Sequence, residues 1–219
     1  MYTHSYTYTL VAKIITLAHQ KGGVGKSTLA LNICAALNEA GSSSYILDMD
    51  VQGSLIDGYT LSQKSEAWQH VIVKTLDKPL SDLVNDDAAF IIIDTPPYLS
   101  TQLAEIFSVS DLVIVPCKTS LFDIRAVRST LALIKQNNTN NKVKYGVVVN
   151  MVVGNANALN EMITDVLTGY EVKLFATQIK NRVSYEKSLF LKGSVITGDD
   201  EKAKDEIYTL TSEILDLVG

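Results

Sequence analysis

Short runs of apolar residues alternate along the chain with longer stretches in which apolar residues recur every three or four positions. The runs are rich in valine and isoleucine, and those at Ile91–Ile93 and Val113–Val115 show no polar alternation. A strand that is apolar on both sides is typical of a parallel sheet covered by helices on both faces. The alternation of strand and helix therefore predicts a doubly wound α/β fold with a mostly parallel sheet.

The same pattern places the individual elements. Strands are predicted at Ile14–Ala18, Ser44–Leu47, Val71–Lys74, Phe90–Asp94, Leu112–Pro116, Val143–Met151 and Val172–Thr177. Helical segments are predicted at Lys26–Ala40, Leu80–Val84, Leu99–Phe107, Ile124–Gln136, Ala158–Leu167, Tyr185–Lys192 and from about Lys202 to Val218. Since no linker or internal repeat interrupts this order, we expect a single domain over residues 1–219, with residues 1–12 as a short N-terminal extension.

Composition and charge disfavour several classes of protein function. Hydrophobic residues make up 47% of the chain and charged residues 20%, an ordinary globular mix. The net charge of −5 argues against a dedicated nucleic-acid binder but leaves room for a local basic face. Cys34 and Cys117 form no CxxC pair, so a zinc or iron–sulfur site built within one chain lacks ligands. No stretch approaches the roughly 20 apolar residues of a membrane span, and we expect a cytoplasmic protein.

A glycine-rich turn follows the first predicted strand and leads straight into a helix. Its residues are Lys21, Gly22, Gly23, Val24, Gly25, Lys26, Ser27 and Thr28. The usual phosphate-loop pattern, GxxxxGK[ST], is not fully met because Gln20 stands at its first glycine position. The glycines permit backbone conformations in which successive N–H groups point at phosphate oxygens, and the helix terminus adds its dipole. The order of strand, turn and helix therefore predicts an ATP site.

The side chains that end this turn have separate expected roles. Lys26 is expected to contact the β- and γ-phosphates, Ser27 to place its hydroxyl on Mg²⁺, and Thr28 to reach the α-phosphate. The alternative is a glycine turn that only caps a helix, which does not require Lys-Ser at this position.

The segment from Lys21 to Thr28 resembles the deviant Walker A box of the ParA/MinD class of P-loop ATPases. In that class the early lysine, here Lys21, reaches across a nucleotide-sandwich dimer to the partner's phosphates, as an arginine finger supplied in trans does. The resemblance implies a homodimer in the ATP state and a monomer that hydrolyses poorly. The alternative interpretation of Lys21 is a solvated surface lysine.

Two acidic segments complete the resemblance. Asp48 and Asp50 end the second strand and point to the same side, at the edge where open α/β sheets bind ligands. They resemble the first switch of ParA proteins, which implies that Asp50 orients the attacking water and Asp48 supports the magnesium shell. Turn aspartates are the alternative. Asp94 ends an apolar strand and resembles the Walker B acid, which implies contact with Mg²⁺, through a water.

The second half of the chain carries weaker signals. Asn150 ends a predicted strand where several relatives contact adenine, although a turn or capping asparagine is an open alternative. Lys180, Arg182, Lys187 and Lys192 lie in a segment that resembles the short ParA subgroup. They are candidates for non-specific contacts with double-stranded DNA, whereas a solvated helix face is the alternative.

The resemblance runs from about Lys13 to the end of the chain. It implies an ATPase that segregates plasmid or chromosomal DNA on the nucleoid, with hydrolysis stimulated by a centromere-binding or adaptor protein. ATP and Mg²⁺ are the implied cofactors. The alternative is a MinD-like ATPase that positions a protein or membrane complex without binding DNA. The acidic polar face of the last helix is repelled by anionic lipid, so no membrane partner is expected.

Overall fold

The computed structural model describes residues 11–50, 54–62, 68, 70–97, 102–138, 142–154, 163–188 and 193–219. The predicted N-terminal extension therefore lies almost wholly outside the described residues, and so does Lys192. Within the described part of the chain, no helix is both long enough and apolar enough to cross a lipid bilayer.

Seven strands form one sheet, and every pair of neighbouring strands is parallel. The strands are β1 (Lys13–Leu17), β2 (Ser44–Asp48), β3 (Val73–Lys74), β4 (Phe90–Asp94), β5 (Leu112–Cys117), β6 (Lys144–Val152) and β7 (Lys173–Lys180). Their order is β3-β2-β4-β1-β5-β6-β7. Strands β2 and β4 lie on one side of β1 in the sheet, and β5 and β6 lie on its other side. The carboxyl end of β1 therefore lies at the switch point where such sheets bind ligands, and the predicted fold class is confirmed.

Helices cover both faces of the sheet. They are α1 (Lys26–Glu39), α2 (Ser54–Ser62), α3 (Gln102–Val109), α4 (Leu121–Asn137), α5 (Val183–Lys187) and α6 (Glu201–Val218). Residues 163–167 are also helical, and Leu80–Asn85 forms a 3₁₀ helix. Helix α2 was not predicted from the sequence, and the predicted starts of two helices, Leu99 and Ala158, lie outside the described residues.

The core has two apolar layers, one on each face of the sheet. Alternate residues of β1 enter different layers: Ile15 packs in the layer with α1 and α6, and Ile14 packs in the layer with α3 and α4. Helix α1 is buried on nearly every side from Leu29 to Leu37, because it lies between the sheet and α6. The buried parts of β1 and α1 hold the loop between them on a rigid support.

Candidate functional site

The loop between β1 and α1 has the backbone geometry of an anion site. Gly23 has φ +68° and Gly25 has φ +95°, a left-handed region that other residues rarely adopt. Gly25 is the N-cap of α1, with no side-chain cap, and the first turn of α1 contains no acidic residue. The first N–H groups of α1 therefore have no capping side chain, an arrangement that binds phosphate groups.

Lys26 begins α1 and is buried, with 7% of its surface exposed. Burial lowers the pKa of Lys26, while attraction to Asp94 and Asp50 acts in the opposite direction. A buried cation is costly without anionic partners, and charge-assisted hydrogen bonds to an anion are strong. An entering phosphate group would therefore be bound well by Lys26.

Asp94 and Ser27 supply oxygen ligands beside this lysine. Burial raises the pKa of Asp94 to about 7, against the hydrogen bond from Ser27 and the attraction of Lys26. The Oδ1 atom of Asp94 is buried and has no hydrogen-bond partner in the described part of the chain. A buried carboxylate oxygen without a partner, next to a hydroxyl, fits Mg²⁺, which prefers hard oxygen ligands.

An all-protein metal cage is not formed by the described residues, since no three acid, imidazole or thiol groups converge among them. Mg²⁺ commonly takes one or two carboxylates and fills its octahedral shell with water and substrate phosphates. The donor set of Ser27 and Asp94 fits that mode of binding.

Asp48 joins β2 to the segment that follows it. Its Oδ1 accepts a hydrogen bond from the Asp50 N–H at 3.1 Å, and its Oδ2 accepts one from the Ile56 N–H at 3.2 Å. Burial raises the pKa of Asp48, and these backbone hydrogen bonds oppose that effect. Asp48 thus holds the first turn of α2 and the backbone of Asp50. Its role in the magnesium shell stays a prediction, as does the role of Asp50 toward water.

The side chain of Lys21 pairs with a different carboxylate from those that attract Lys26. Its Nζ lies 3.0 Å from Oδ1 of Asp123 on α4, and 41% of its side-chain surface is exposed. Ser120, the N-cap of α4, donates a hydrogen bond to Oδ2 of the same carboxylate at 2.6 Å. The lysine is therefore paired with its own chain, at the rim of the phosphate loop.

His19 was not singled out from the sequence, although it stands two residues before Lys21. It is buried, and its Nδ1 accepts a hydrogen bond from the Lys21 N–H at 3.0 Å. Burial and the nearby positive charge of Lys26 lower the pKa of His19 to about 4, so the ring is neutral at pH 7. The signal in the sequence is its place between the apolar run of the first strand and the glycine turn. Its role is to fix the backbone at Lys21.

Asn150 lies against the phosphate loop itself. Its Nδ2 donates a hydrogen bond to the Val24 carbonyl at 2.8 Å, and its Oδ1 accepts one from the Met151 N–H at 2.9 Å. A Cβ atom added to Gly25 would lie 2.2 Å from Nδ2 of Asn150. The asparagine is 3% exposed. Its predicted contact with adenine stays a prediction.

A cavity of about 230 Å³ adjoins the loop at the carboxyl ends of β6 and β7. Its lining includes Thr28, Met151, Ile179, Lys180 and Arg182. Apolar side chains between the phosphate loop and two polar residues suit a nucleobase, because such sites are mostly apolar with a few polar groups for orientation.

Two of the four basic candidates for DNA contact thus line this cavity. Arg182 donates to Glu206 Oε1 from Nε at 3.1 Å and from Nη2 at 2.7 Å. Lys180 Nζ lies 3.3 Å from the Gln178 side-chain oxygen. Lys187 is exposed on α5, and Lys192 lies outside the described residues. Arg182 and Lys180 are thus engaged with side chains of their own chain, and the contact of the four cations with DNA stays a prediction.

Comparison with known proteins agrees with this geometry. The CobQ/CobB/MinD/ParA nucleotide binding domain family matches residues 15–192, which include every predicted ATP and magnesium residue. The chain belongs to this family. The maintenance of carboxysome distribution protein A of Halothiobacillus neapolitanus is 25% identical over 208 residues, covering 92% of this chain and 95% of that protein.

Two solved structures of the family share the fold. MinD of Pyrococcus horikoshii, complexed with Mg-ADP, superposes with a TM-score of 0.70 at 17% identity and covers 95% of this chain and 98% of that one. The pNOB8 ParA protein, bound to nonspecific DNA, superposes with a TM-score of 0.64 at 18% identity and covers 95% of this chain and 99% of that one. This chain thus shares its fold with one protein solved with Mg-ADP and with another solved on DNA.

Proposed function

We propose that this chain is an ATP-driven dimerisation switch with weak ATPase activity that a partner protein stimulates. The observation that carries the proposal is the different environment of two lysines in one loop. Lys26 lies in a cluster with Ser27, Asp50 and Asp94, whereas Lys21 Nζ is held 3.0 Å from Asp123 Oδ1. Because Lys21 is paired away from that cluster, a second copy of the chain would have to bring a lysine to the transferring phosphate, as a finger in trans.

The residues around the loop divide the chemistry between them. The backbone N–H groups of residues 22–28 and Lys26 hold the phosphates of ATP, and the cavity beside Met151 takes its base. Ser27 and Asp94 would hold Mg²⁺, with Asp48 in support, and the bound ion would supply charge neutralisation to the phosphates. Asp50 orients the water that attacks the γ-phosphorus, the bond to the β–γ bridging oxygen breaks, and ADP and phosphate leave.

We propose that the ATP dimer binds duplex DNA of the nucleoid without sequence preference and that its cargo is a plasmid or a chromosome. A structural relative is a ParA bound to nonspecific DNA. Helix α4 carries Arg125, Arg128 and Lys135 as exposed residues, and neither arginine has an ion-pair partner among the described residues. They span about 15 Å along the helix at 1.5 Å per residue, a length that reaches several phosphates of a duplex.

The second candidate function is the positioning of a protein complex without DNA. Glu206 neutralises Arg182, and the whole chain has 24 acidic against 19 basic residues. The similarity to a carboxysome distribution protein also favours this alternative.

Dimerisation tests the switch. We expect sedimentation to show a monomer without nucleotide or with ADP–Mg²⁺ and a dimer with ATP–Mg²⁺. The Lys21→Ala variant is expected to bind ATP but to lose hydrolysis. A chain that binds no ATP, or that stays monomeric at saturating ATP, contradicts the proposal.

Binding to random-sequence duplex DNA at low salt tests the proposed DNA interaction. We expect binding only with ATP–Mg²⁺, weaker as salt rises. Arg125→Ala with Arg128→Ala is expected to weaken binding about ten-fold or more and to lower the salt slope by about 0.9 for each phosphate that the variant no longer neutralises. Lys142→Ala, which removes an exposed cation near the amino end of β6, is the control. An intact ATP dimer that binds no DNA would favour the protein-positioning alternative.

A further inference from the structure

The carboxamide of Asn150 bridges two parts of the chain that are 126 residues apart. Its Nδ2 donates to the Val24 carbonyl at 2.8 Å, inside the glycine turn. That peptide precedes Gly25, whose φ of +95° is a conformation the loop has to keep for α1 to begin at Lys26. The side chain therefore acts on the backbone that would surround the phosphates.

The orientation of this carboxamide is itself fixed by the next residue. Met151 has φ +56°, and among the described residues it is the one non-glycine residue with positive φ. Its N–H donates to Asn150 Oδ1 at 2.9 Å, which turns the Nδ2 side of the amide toward Val24. A left-handed conformation is unfavourable for a residue such as methionine and persists only where the surrounding structure holds it.

Gly25 and Asn150 also fit each other sterically. A Cβ atom at Gly25 would lie 2.2 Å from Nδ2 of Asn150 and 3.4 Å from Cε of Met151. The glycine thus leaves the space that the amide occupies. With both hydrogen-bonding ends of its carboxamide engaged and 3% exposure, Asn150 has its donor directed at the loop.

We propose that Asn150 is a positioning residue for the phosphate loop: it holds the Val24–Gly25 peptide in the anion-binding conformation, with Met151 as its support. This inference rests on the proposed ATP site and assigns Asn150 to the phosphates rather than to adenine. A loop that is already in the binding conformation gives higher affinity, because no part of the population has to rearrange first.

Inorganic tripolyphosphate separates the two roles, since it has the phosphates of ATP and no base. Competition of tripolyphosphate, ATP and ITP against a fluorescent ATP analogue is measured for the wild type and for Asn150→Ala. The expected result is that all three bind about ten-fold more weakly in the variant, because a buried carbonyl loses its donor and the loop loses its tether, while the ratio of ATP to ITP affinity is unchanged. Unchanged tripolyphosphate binding, with a smaller ATP-to-ITP ratio, would overturn the proposal in favour of an adenine contact.

The chain provides a matched control at the C-cap of α4, just before the amino end of β6. Asn138 is also a buried asparagine, whose Nδ2 donates to the Val143 carbonyl at 2.8 Å and whose Oδ1 accepts from the Val143 N–H at 3.1 Å. Asn138→Ala removes the same kind of hydrogen bond, so it is expected to lower the melting temperature without weakening tripolyphosphate binding. An equal loss of tripolyphosphate binding in both variants would show a general effect on the fold and overturn the proposal.

A second pair of variants covers the case in which Asn150→Ala does not fold. Met151→Val is expected to weaken tripolyphosphate binding more than Met151→Asn, because a β-branched residue resists the left-handed conformation that asparagine tolerates. Equal affinities in the two variants would count against the support from Met151. A wild-type chain that binds no ATP would instead contradict the proposed ATP switch, which keeps the two failures distinguishable.

Discussion

Lys21 Nζ and Asp123 Oδ1 form an ion pair of 3.0 Å between the phosphate loop and the first turn of α4. Lys21 cannot keep this partner and reach the phosphates of a second copy at the same time. The pair therefore competes with the proposed dimer, and ATP binding has to overcome it.

Asp123→Asn is expected to favour the ATP dimer. Partly exposed ion pairs contribute about 0.2–1 kcal/mol each, and a symmetric dimer breaks two of them, so freeing Lys21 should lower the dimer dissociation constant by up to about 30-fold. Sedimentation in the presence of a non-hydrolysable ATP analogue measures this constant. Asp87→Asn, an exposed carboxylate near the amino end of β4, controls for the change in net charge. Weaker dimerisation in Asp123→Asn than in the control would show that the pair supports the dimer.

Lys26→Met is expected to separate binding from stability. The methionine keeps most of the buried volume and removes a cation whose pKa is lowered by burial, so the free energy of unfolding without ligand should stay equal or rise. ATP affinity should fall about 100-fold, because the variant makes no charge-assisted hydrogen bonds to phosphate. Thermal unfolding with and without ATP–Mg²⁺ checks both. A variant that ATP still stabilises as strongly as the wild type would remove Lys26 from the site.

Asp50→Ala is expected to bind ATP and to accumulate as a dimer, since the attacking water loses its orienting group. Hydrolysis should fall about 100-fold or more, in line with general acid–base contributions of about 10²–10⁴-fold. Phosphate release and sedimentation on the same sample measure the two effects. Normal hydrolysis by the variant would mean that Asp50 does not position the water.

Sequence patterns could locate the individual strands and the phosphate loop, because each leaves its signal within one short segment of the chain. The apolar run Ile91–Ile93 already implies burial on both faces, and strand, glycine turn and Lys-Ser are contiguous in the chain. Pairings between distant residues leave no such pattern. Lys21 and Asp123 are 102 residues apart, and Asn150 and Val24 are 126 apart, so their pairing depends on strand order.

Two element boundaries were also set by tertiary contacts. Helix α2 is short and contains Gly58, which lowers helix propensity, and its first turn is held by the Asp48 carboxylate from β2. Strand β7 runs to Lys180, beyond the predicted end at Thr177. The Lys180 N–H donates a hydrogen bond to Glu206 of α6, so a helix that comes later in the chain extends the edge strand.

Glu213 provides the same kind of support to β7, and it predicts a pH dependence of stability. Its Oε2 accepts from the Ala176 N–H and its Oε1 from the Thr177 N–H, both at 2.8 Å. Burial acts to raise the pKa of Glu213. Hydrogen bonds from the Thr177 hydroxyl and from the two N–H groups outweigh this effect, so the pKa of Glu213 lies below the usual 4.5.

A carboxylate whose pKa is lower in the folded state stabilises the fold above its unfolded pKa and loses that contribution as pH falls through the folded value. Glu213→Gln should therefore lower the free energy of unfolding by about 1 kcal/mol at pH 7, because the amide places an NH₂ group opposite backbone donors. Below pH 4.5 the difference between wild type and variant should shrink progressively toward zero. Urea unfolding at pH 7 and at acidic pH measures it, with Asp216→Asn, an exposed carboxylate on α6, as the control. A difference that stays constant with pH would mean that the Glu213 charge is not what holds the edge of β7.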